Sequence, residues 1–190
     1  AQKHSISPED LRAIIADCQK VLMAERDKRI RPGLDDKTLT SWNGLMLKGY
    51  VDAYLTFGEQ HFLDVATENA KFIVKKQLRK DGGLNHSYKK GRSTINAYLE
   101  DYAFIIDAFL KLYEATFDVK WLKEADALMA YSIEHFYDDE SGMFFFTSDE
   151  DPALIARKME VNDNVIPASN SVMANNLFVL SHHYLSLIHI

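Results

Sequence analysis

The adjacent carboxylates Glu100 and Asp101 are the residues whose types and position best suit acid–base chemistry. On the helix predicted there, Glu100 joins a polar stripe, whereas Asp101 shares a face with the apolar residues Phe104, Ile105 and Ala108. A carboxylate on an apolar face must be hydrogen-bonded or lose its charge. Two roles are therefore predicted for Asp101: a structural helix cap, which the pattern favours slightly, and a general acid or base, the catalytic role for which it is the first candidate.

A second pair of carboxylates, Asp35 and Asp36, precedes a predicted helix start at Thr40 or Ser41. We predict that one of them is the catalytic partner of Asp101, and the alternative is a turn with an Asx-type cap. Amides, acids and hydroxyls match the donors and acceptors of a sugar, while flat aromatic rings cover its apolar faces. The substrate-binding residues predicted on this basis are Trp42, Asn43, His86, Glu100, Tyr102, Ser169 and Asn170.

Several of these residues also have purely structural interpretations. Ser169 and Asn170 are common N-cap types, Trp42 suits a core or rim position, and His86 suits an ordinary surface histidine. The neighbouring His182 and His183 lack the i, i+4 spacing of a zinc-binding helical pair. The sequence therefore predicts no metal site, and it has no glycine-rich phosphate loop that would indicate a cofactor.

Helical periodicity dominates the elements that must position these residues. Each helix combines an apolar stripe with start or stop signals such as Ser7-Pro8 and Gly58. Residues 143–147 and 154–159 are predicted to form a β-hairpin, and residues 80–97 a polar loop ending near Asn96. The predicted helices span residues 8–29, 42–57, 60–79, 98–117, 120–136 and 169–185.

An internal repeat of about 60 residues relates these helices, because Phe57-Gly58 corresponds to Phe117-Asp118. In each repeat a nearly all-apolar helix turns tightly into an amphipathic one, as expected for an enclosed helix followed by an outer one. This alternation predicts an all-α fold of an α/α toroid or solenoid type, rather than an up-down bundle, whose loops are usually shorter. In a toroid the inner helices begin at one end, so the candidate residues would face one another there.

Composition narrows the function classes. The 190 residues carry a net charge of −6, which disfavours a nucleic-acid footprint. The longest apolar runs are too short to cross a bilayer, and the single cysteine, Cys18, cannot form an internal disulfide. We therefore predict a cytoplasmic protein without nucleic-acid or membrane partners.

Four motifs resemble one protein family. They occupy residues 34–46 (LDDKTLTSWNGLM), 99–103 (LEDYA), 112–116 (LYEAT) and 167–171 (PASNS). They are similar to motifs of the spermatogenesis-associated, thioredoxin-domain-containing proteins (YyaL-type), although residues 168–169 depart from that family's Pro-Ser-Gly-Asn-Ser. The resemblance implies an (α/α)6 toroid similar to six-hairpin glycosidases and N-acylglucosamine 2-epimerase, preceded in the family by a thioredoxin-like domain.

On this resemblance we expect residues 1–190 to be a fragment of one toroid domain. Residues 1–29 would form a leading helix and residues 30–185 about three helical hairpins, roughly half of a closed toroid. The rest of the toroid and the thioredoxin-like domain would then be partners, and the isolated chain would self-associate. The resemblance implies binding or processing of a carbohydrate, by glycosidase-like or epimerase-like chemistry. The alternative is a non-catalytic α/α scaffold that positions a thioredoxin-like domain or another protein.

Overall fold

A computed structural model describes residues 6–152 and 155–184. The chain divides into two units, residues 1–36 and residues 37–190. The first unit contains helix α1 (Pro8–Asp27), which begins as predicted because the side chain of Ser7 accepts a hydrogen bond from the Asp10 N–H. No residue of this helix is buried, so its apolar stripe, which includes Cys18, is exposed.

The second unit is built from five helices whose bounds lie within three residues of the predicted ones. The end predicted for the last of them, Leu185, lies outside the described residues. The helices are α2 (Thr40–Phe57), α3 (Gln60–Lys76), α4 (Leu99–Thr116), α5 (Val119–Phe136) and α6 (Ser169–Tyr184).

The five helices form an inner row and an outer row. Helix α4 lies between α2 and α6, and it is buried nearly all round. Helix α3 packs on α2, and α5 packs on α4, each through one apolar face. This alternation of enclosed and half-exposed helices confirms the predicted all-α fold of α/α hairpins.

The repeat is visible in the turns that close each hairpin. Gly58 and Phe117 follow α2 and α4, and both adopt the left-handed conformation, with φ of 70° and 53°. Their N–H groups donate to the carbonyls of Tyr54 and Tyr113, which satisfies the helix ends. Phe117 shows that the second copy keeps the turn geometry without the glycine that favours it.

The prediction of a polar loop at residues 80–97 is wrong, because residues 85–96 form a β-hairpin. Strands β2 (Asn85–Lys89) and β3 (Arg92–Asn96) pair antiparallel around a turn in which Lys90 and Gly91 have positive φ. The short strand β1 (Thr38–Leu39), just before α2, pairs with β2 and completes a three-stranded sheet. The strands escape a pattern search because their side chains are mostly polar on both faces.

The one hairpin that the sequence predicts, between residues 143–147 and 154–159, forms with a different partner strand. Strand β5 (Met143–Phe144) pairs with β4 (Tyr137–Asp138), which directly follows α5. Of the predicted pairing with residues 154–159, the Phe146 N–H bond to the Lys158 carbonyl is present, at 2.7 Å; Leu154 lies outside the described residues. Within the described ranges, no helix combines the length and apolar character needed to span a membrane.

Candidate functional site

The carboxylate of Asp101 joins three elements at one end of the helical layer. Its Oδ1 accepts a hydrogen bond from the Ser41 N–H at 2.8 Å. Its Oδ2 accepts from the Tyr98 N–H and from Nδ1 of His86, both at 2.9 Å. The side chain has no exposed surface, so these three bonds compensate a fully buried carboxylate.

Each member of this cluster is placed by a helix start or a strand. Asp101 is the third residue of α4, and it caps that helix by accepting a hydrogen bond from the N–H of Tyr98, the residue just before the helix. Ser41 is the second residue of α2, where the N–H has no partner within the helix. His86 lies in β2, which is fixed to the start of α2 by the Thr40 hydroxyl bond to the Asn85 carbonyl, at 2.6 Å.

The imidazole of His86 is held in one orientation. Because a carboxylate accepts, Nδ1 carries the proton in the bond to Asp101, and Nε2 is the other nitrogen of the ring. The hydrogen bond to Asp101 raises the pKa of His86, against the effects of burial and of Lys37. The ring also packs edge-on against Tyr98, with centroids 5.0 Å apart. The arrangement is an aspartate–histidine pair, in which the carboxylate orients a proton-carrying ring.

Glu100 lies beside this pair and is half-buried. Burial raises its pKa first, and the negative charges of Asp101 and Glu160 raise it further. The Ser41 hydroxyl donates to Glu100 over a long 3.4 Å contact. Glu100 is therefore a carboxyl group whose ionisation is moved towards neutral pH.

Glu160 brings the start of α6 to the same cluster. Its Oε2 accepts from the N–H and the hydroxyl of Ser169, at 3.2 and 2.9 Å. A carboxylate is favoured there because helix N-termini carry partial positive charge. Hydrogen bonds to Asp101 thus join the starts of α2 and α4, and Glu160, bonded at the start of α6, acts on Glu100 through its charge.

An aromatic wall borders the cluster. The rings of Tyr98 and Phe146 are stacked, with centroids 5.2 Å apart and planes 12° from parallel. Phe146 and Glu160 both line a pocket of about 340 Å³, which reaches the size of small-ligand sites. The site therefore combines proton-carrying groups with an apolar surface.

The other predicted binding residues fall into two groups. Trp42 is 66% exposed in the first turn of α2, as a stacking platform requires. In contrast, Tyr102 and Ser169 have no exposed surface, so they support the site from beneath instead of lining it. The Tyr102 hydroxyl accepts from the Leu84 N–H at 2.8 Å, and burial raises its pKa.

The side-chain amides of the two predicted binding residues, Asn43 and Asn170, are hydrogen-bonded to backbone groups. Asn43 Nδ2 donates to the Leu39 carbonyl at 2.7 Å. Asn170 accepts from the Phe144 N–H and donates to the carbonyls of Phe144 and Glu160, and so it fastens α6 to β5. Asp35 and Asp36 belong to the first unit, and their catalytic role stays a prediction.

Among residues 6–152 and 155–184, the group that could hold a metal ion is His86, Glu100 and Asp101, whose ligand atoms lie within 4.8 Å of one another. Asp101 already accepts three hydrogen bonds, and Nδ1 of His86 donates one of them. Glu100 and Nε2 of His86 alone are fewer ligands than protein metal sites ordinarily supply.

A separate polar network fastens the loops that carry the site. Arg79, after α3, donates to Asn96 at 2.7 Å and to Glu150 at 2.8 Å, and it pairs with Asp81. The Tyr131 hydroxyl also donates to Glu150, at 2.6 Å. Residues at the ends of the β2–β3 hairpin and of the 145–152 segment are thereby tied together.

Comparison with known proteins identifies homologues over nearly the whole chain. Human spermatogenesis-associated protein 20 is 31% identical over 95% of this chain and 24% of its own length. An uncharacterized Caenorhabditis elegans protein is 33% identical over 95% of this chain and 25% of its own. The chain spans about a quarter of the length of these curated relatives, and no protein-family model matches it.

Solved structures show the same fold. A glycoside hydrolase family 76 α-mannanase from Bacteroides thetaiotaomicron aligns with a TM-score of 0.65 and 18% identity, over 85% of this chain and 40% of the enzyme. Cellobiose 2-epimerase from Bacillus thermoamylovorans aligns with a TM-score of 0.66 and 14% identity, over 80% and 41%. These neighbours confirm the predicted fold class, that of the six-hairpin glycosidase-like α/α toroids.

Proposed function

We propose that this homologue of spermatogenesis-associated protein 20 binds a carbohydrate where α2, α4 and α6 begin, and transfers protons on it. The observation that carries the proposal is the Asp101–His86 pair beside Glu100, a buried carboxylate orienting a ring next to a second proton carrier. The structural neighbours support the substrate class, because their names describe a mannanase and an epimerase.

The proton-transfer roles are assigned by exposure. Asp101 has no exposed surface, so we assign it the role of positioning residue, in place of the direct acid–base role predicted from the sequence. His86 and Glu100 are the half-buried members, and both have raised pKa values. In its protonated form His86 would donate to a sugar oxygen from Nε2, while Glu100 in its ionised form would accept a proton.

The surrounding residues would hold the sugar. Trp42, exposed on the first turn of α2, would stack on an apolar sugar face, and Tyr98 with Phe146 would form a second apolar surface. Removing a proton next to a carbonyl and returning one to the opposite face of the same carbon would give epimerisation. Protonating the glycosidic oxygen from His86, while Glu100 takes a proton from a water that attacks the sugar carbon, would give hydrolysis. Both reactions use the same two proton carriers.

The proposal is tested by measuring sugar binding and turnover with a matched pair of histidine variants. His86→Asn should abolish turnover and weaken binding, whereas His61→Asn, at an exposed position on α3, should change neither. Circular dichroism checks that both variants fold. The proposal is wrong if a broad panel of mono- and oligosaccharides gives no binding, or if His86→Asn acts like His61→Asn.

A non-catalytic scaffold is the second candidate function. It is favoured by large apolar side chains exposed on the inner helices, Met46 and Phe57 on α2 and Phe178 on α6. Further hairpins of a longer protein, or a thioredoxin-like domain, would cover these faces in a cytoplasmic assembly. Binding of such a domain by a chain carrying His86→Asn, together with no response to any sugar, would favour this function.

A further inference from the structure

We infer that Ile95 is a specificity-determining residue of the proposed site, held opposite His86 as an apolar contact for the ring face of a bound sugar. The inference rests on the proposed function, because it names a further contact for the same ligand. It starts from the backbone of strand β3, where Ile95 adopts the left-handed conformation with φ of 66°. This conformation is uncommon for residues other than glycine, and it is strained for a β-branched side chain.

Turn geometry explains the two other non-glycine residues with positive φ in the part of the chain that the structure describes. Lys90 lies in the tight turn between β2 and β3, and Phe117 ends α4 at the turn into α5. Ile95 is instead the fourth of the five residues of β3, so no turn requires its conformation. Its strain therefore needs another explanation.

The register of the β2–β3 hairpin shows that Ile95 is not part of a β-bulge. The pairs on either side of it are Asn85 with Asn96 and Ser87 with Thr94. One residue lies between these pairs on each strand, so neither strand carries an extra residue. The two intervening residues are His86 and Ile95, and opposed residues of antiparallel strands have Cα atoms about 4.5–5.5 Å apart. The strained residue is therefore the direct neighbour of the histidine of the site.

Core packing offsets little of the strain at Ile95. The residue is 55% exposed, so much of its side chain gains nothing from burial. The neighbouring residue is fixed instead, because Asn96 accepts from Arg79 at 2.7 Å and donates to Asp151 at 3.1 Å. Strained conformations that their surroundings hold in place are concentrated at binding and active sites. Exposure beside His86 points to a ligand as the partner of this side chain.

An apolar group at this position complements the proton carriers. The C–H groups on the face of a sugar ring are apolar, and packing them on a hydrocarbon side chain removes both from water. An open-chain alditol has hydroxyl groups of the same configuration but no ring face. Ile95 should therefore favour a ring sugar over its alditol.

Calorimetric titration of the full chain with glucose and mannose, and with their alditols sorbitol and mannitol, measures this preference. Each ring sugar that binds should bind more tightly than its alditol. Ile95→Gly suits the left-handed backbone and removes the side chain. It should weaken binding of the ring sugar at least about fourfold, the effect of withdrawing one methylene group from apolar contact. The alditol should be affected less, so the ring-to-alditol affinity ratio should fall.

Two further variants at the same position separate the side chain from the backbone. Ile95→Leu keeps an apolar side chain of the same size without the branch at Cβ, and it should retain the affinity ratio. Ile95→Asn places a polar side chain that tolerates the left-handed conformation, and it should lower the ratio as Ile95→Gly does.

Phe117→Gly is the matched control. Phe117 is also an exposed apolar residue with positive φ, but it lies at the opposite end of α4 from the site. The substitution should leave the affinity ratio unchanged. Urea denaturation checks folding, and neither glycine variant should lower the midpoint, because glycine adopts positive φ without strain.

The outcomes separate this inference from the proposed function. An unchanged ratio in Ile95→Gly, or a ratio lowered equally by Ile95→Leu, overturns the apolar contact and leaves sugar binding standing. Equal weakening of ring sugar and alditol by Ile95→Gly does the same, because it assigns Ile95 a backbone role only. Absence of binding by both glucose and mannose also overturns the inference, and absence across the wider panel overturns the proposed function as well.

Discussion

Replacing Asp101 by asparagine removes the charge at the centre of the site while nearly conserving its shape. Asparagine keeps one oxygen, which can still accept from the Ser41 N–H. Its NH₂ group would then face the Tyr98 N–H and Nδ1 of His86, both donors to the original carboxylate. Hydrogen bonds to charged groups contribute about 1.5–3 kcal/mol each, so the loss of two predicts destabilisation by about 3–6 kcal/mol.

The destabilisation should depend on pH because His86 takes part in it. The pKa of His86 is raised in the folded chain by the Asp101 hydrogen bond. A raised pKa contributes stability that is fully present below the unfolded value of about 6.5 and is lost as pH rises through the folded value. The cost of Asp101→Asn should therefore be larger at about pH 6 than at about pH 9.

Urea denaturation of the variant at these two pH values measures both effects. Asp64→Asn, at an exposed position on α3, is the matched control and should change stability by less than about 0.5 kcal/mol. In NMR titrations the pKa of His86 should fall in the Asp101→Asn variant. A change in unfolding free energy as small as that of the control, or an unmoved His86 titration, would refute the reasoning.

Three further predictions concern stability, each read from the midpoint of denaturation. Gly44→Ala should destabilise the protein by about 1–3 kcal/mol, because the added Cβ would lie 2.9 Å from the Phe104 backbone. Gly49→Ala, where the added Cβ has no atom within 4 Å, should instead stabilise it by about 0.5–1 kcal/mol. The reverse order would contradict the close packing of α2 on α4. Asp107→Asn should raise stability at neutral pH and not at about pH 3. Burial raises the pKa of the Asp107 carboxyl, so the ionised form costs stability as pH rises. Equal effects of the substitution at both pH values would count against this. Arg79→Met should lower the stability by about 1–3 kcal/mol, because it removes the hydrogen bonds to Asn96 and Glu150 between the loops. Arg79→Lys should keep only part of that stability, because a lysine cannot replace the forked donors of the guanidinium. Full stability with lysine would be the contrary result.

The helices were predictable because their signals are local. Ser7-Pro8 and Gly58 mark helix ends by their own backbone preferences, and the repeat predicts the second turn at Phe117-Asp118. The position of Asp101 on the apolar face of its helix also predicted that its carboxylate must be hydrogen-bonded, and it accepts three hydrogen bonds. Those partners themselves were not predictable, because a helix pattern contains no information on what packs against it.

The rest of the site depends on long-range pairing. His86 comes beside Asp101 because strand β2 folds back along the start of α2, and that strand has no apolar alternation to reveal it. Glu160 lies in a segment without helix or strand, and its role arises from contact with Ser169. The signal that could have found His86 was the need of a buried Asp101 for a donor, which the polar loop of residues 85–89 could supply.

The most direct test of the central claim is an NMR titration of the folded chain with sugars, following the His86 ring and the Ser41 amide. The account predicts that a sugar shifts both signals saturably, and that His86→Asn removes the response of the Ser41 amide while His61→Asn keeps it. A second pocket, of about 600 Å³, is lined by Ile133 of α5, Met143 of β5 and Leu177 of α6. Saturable shifts confined to that pocket, or no shift with any sugar, would contradict a carbohydrate site at the start of the inner helices.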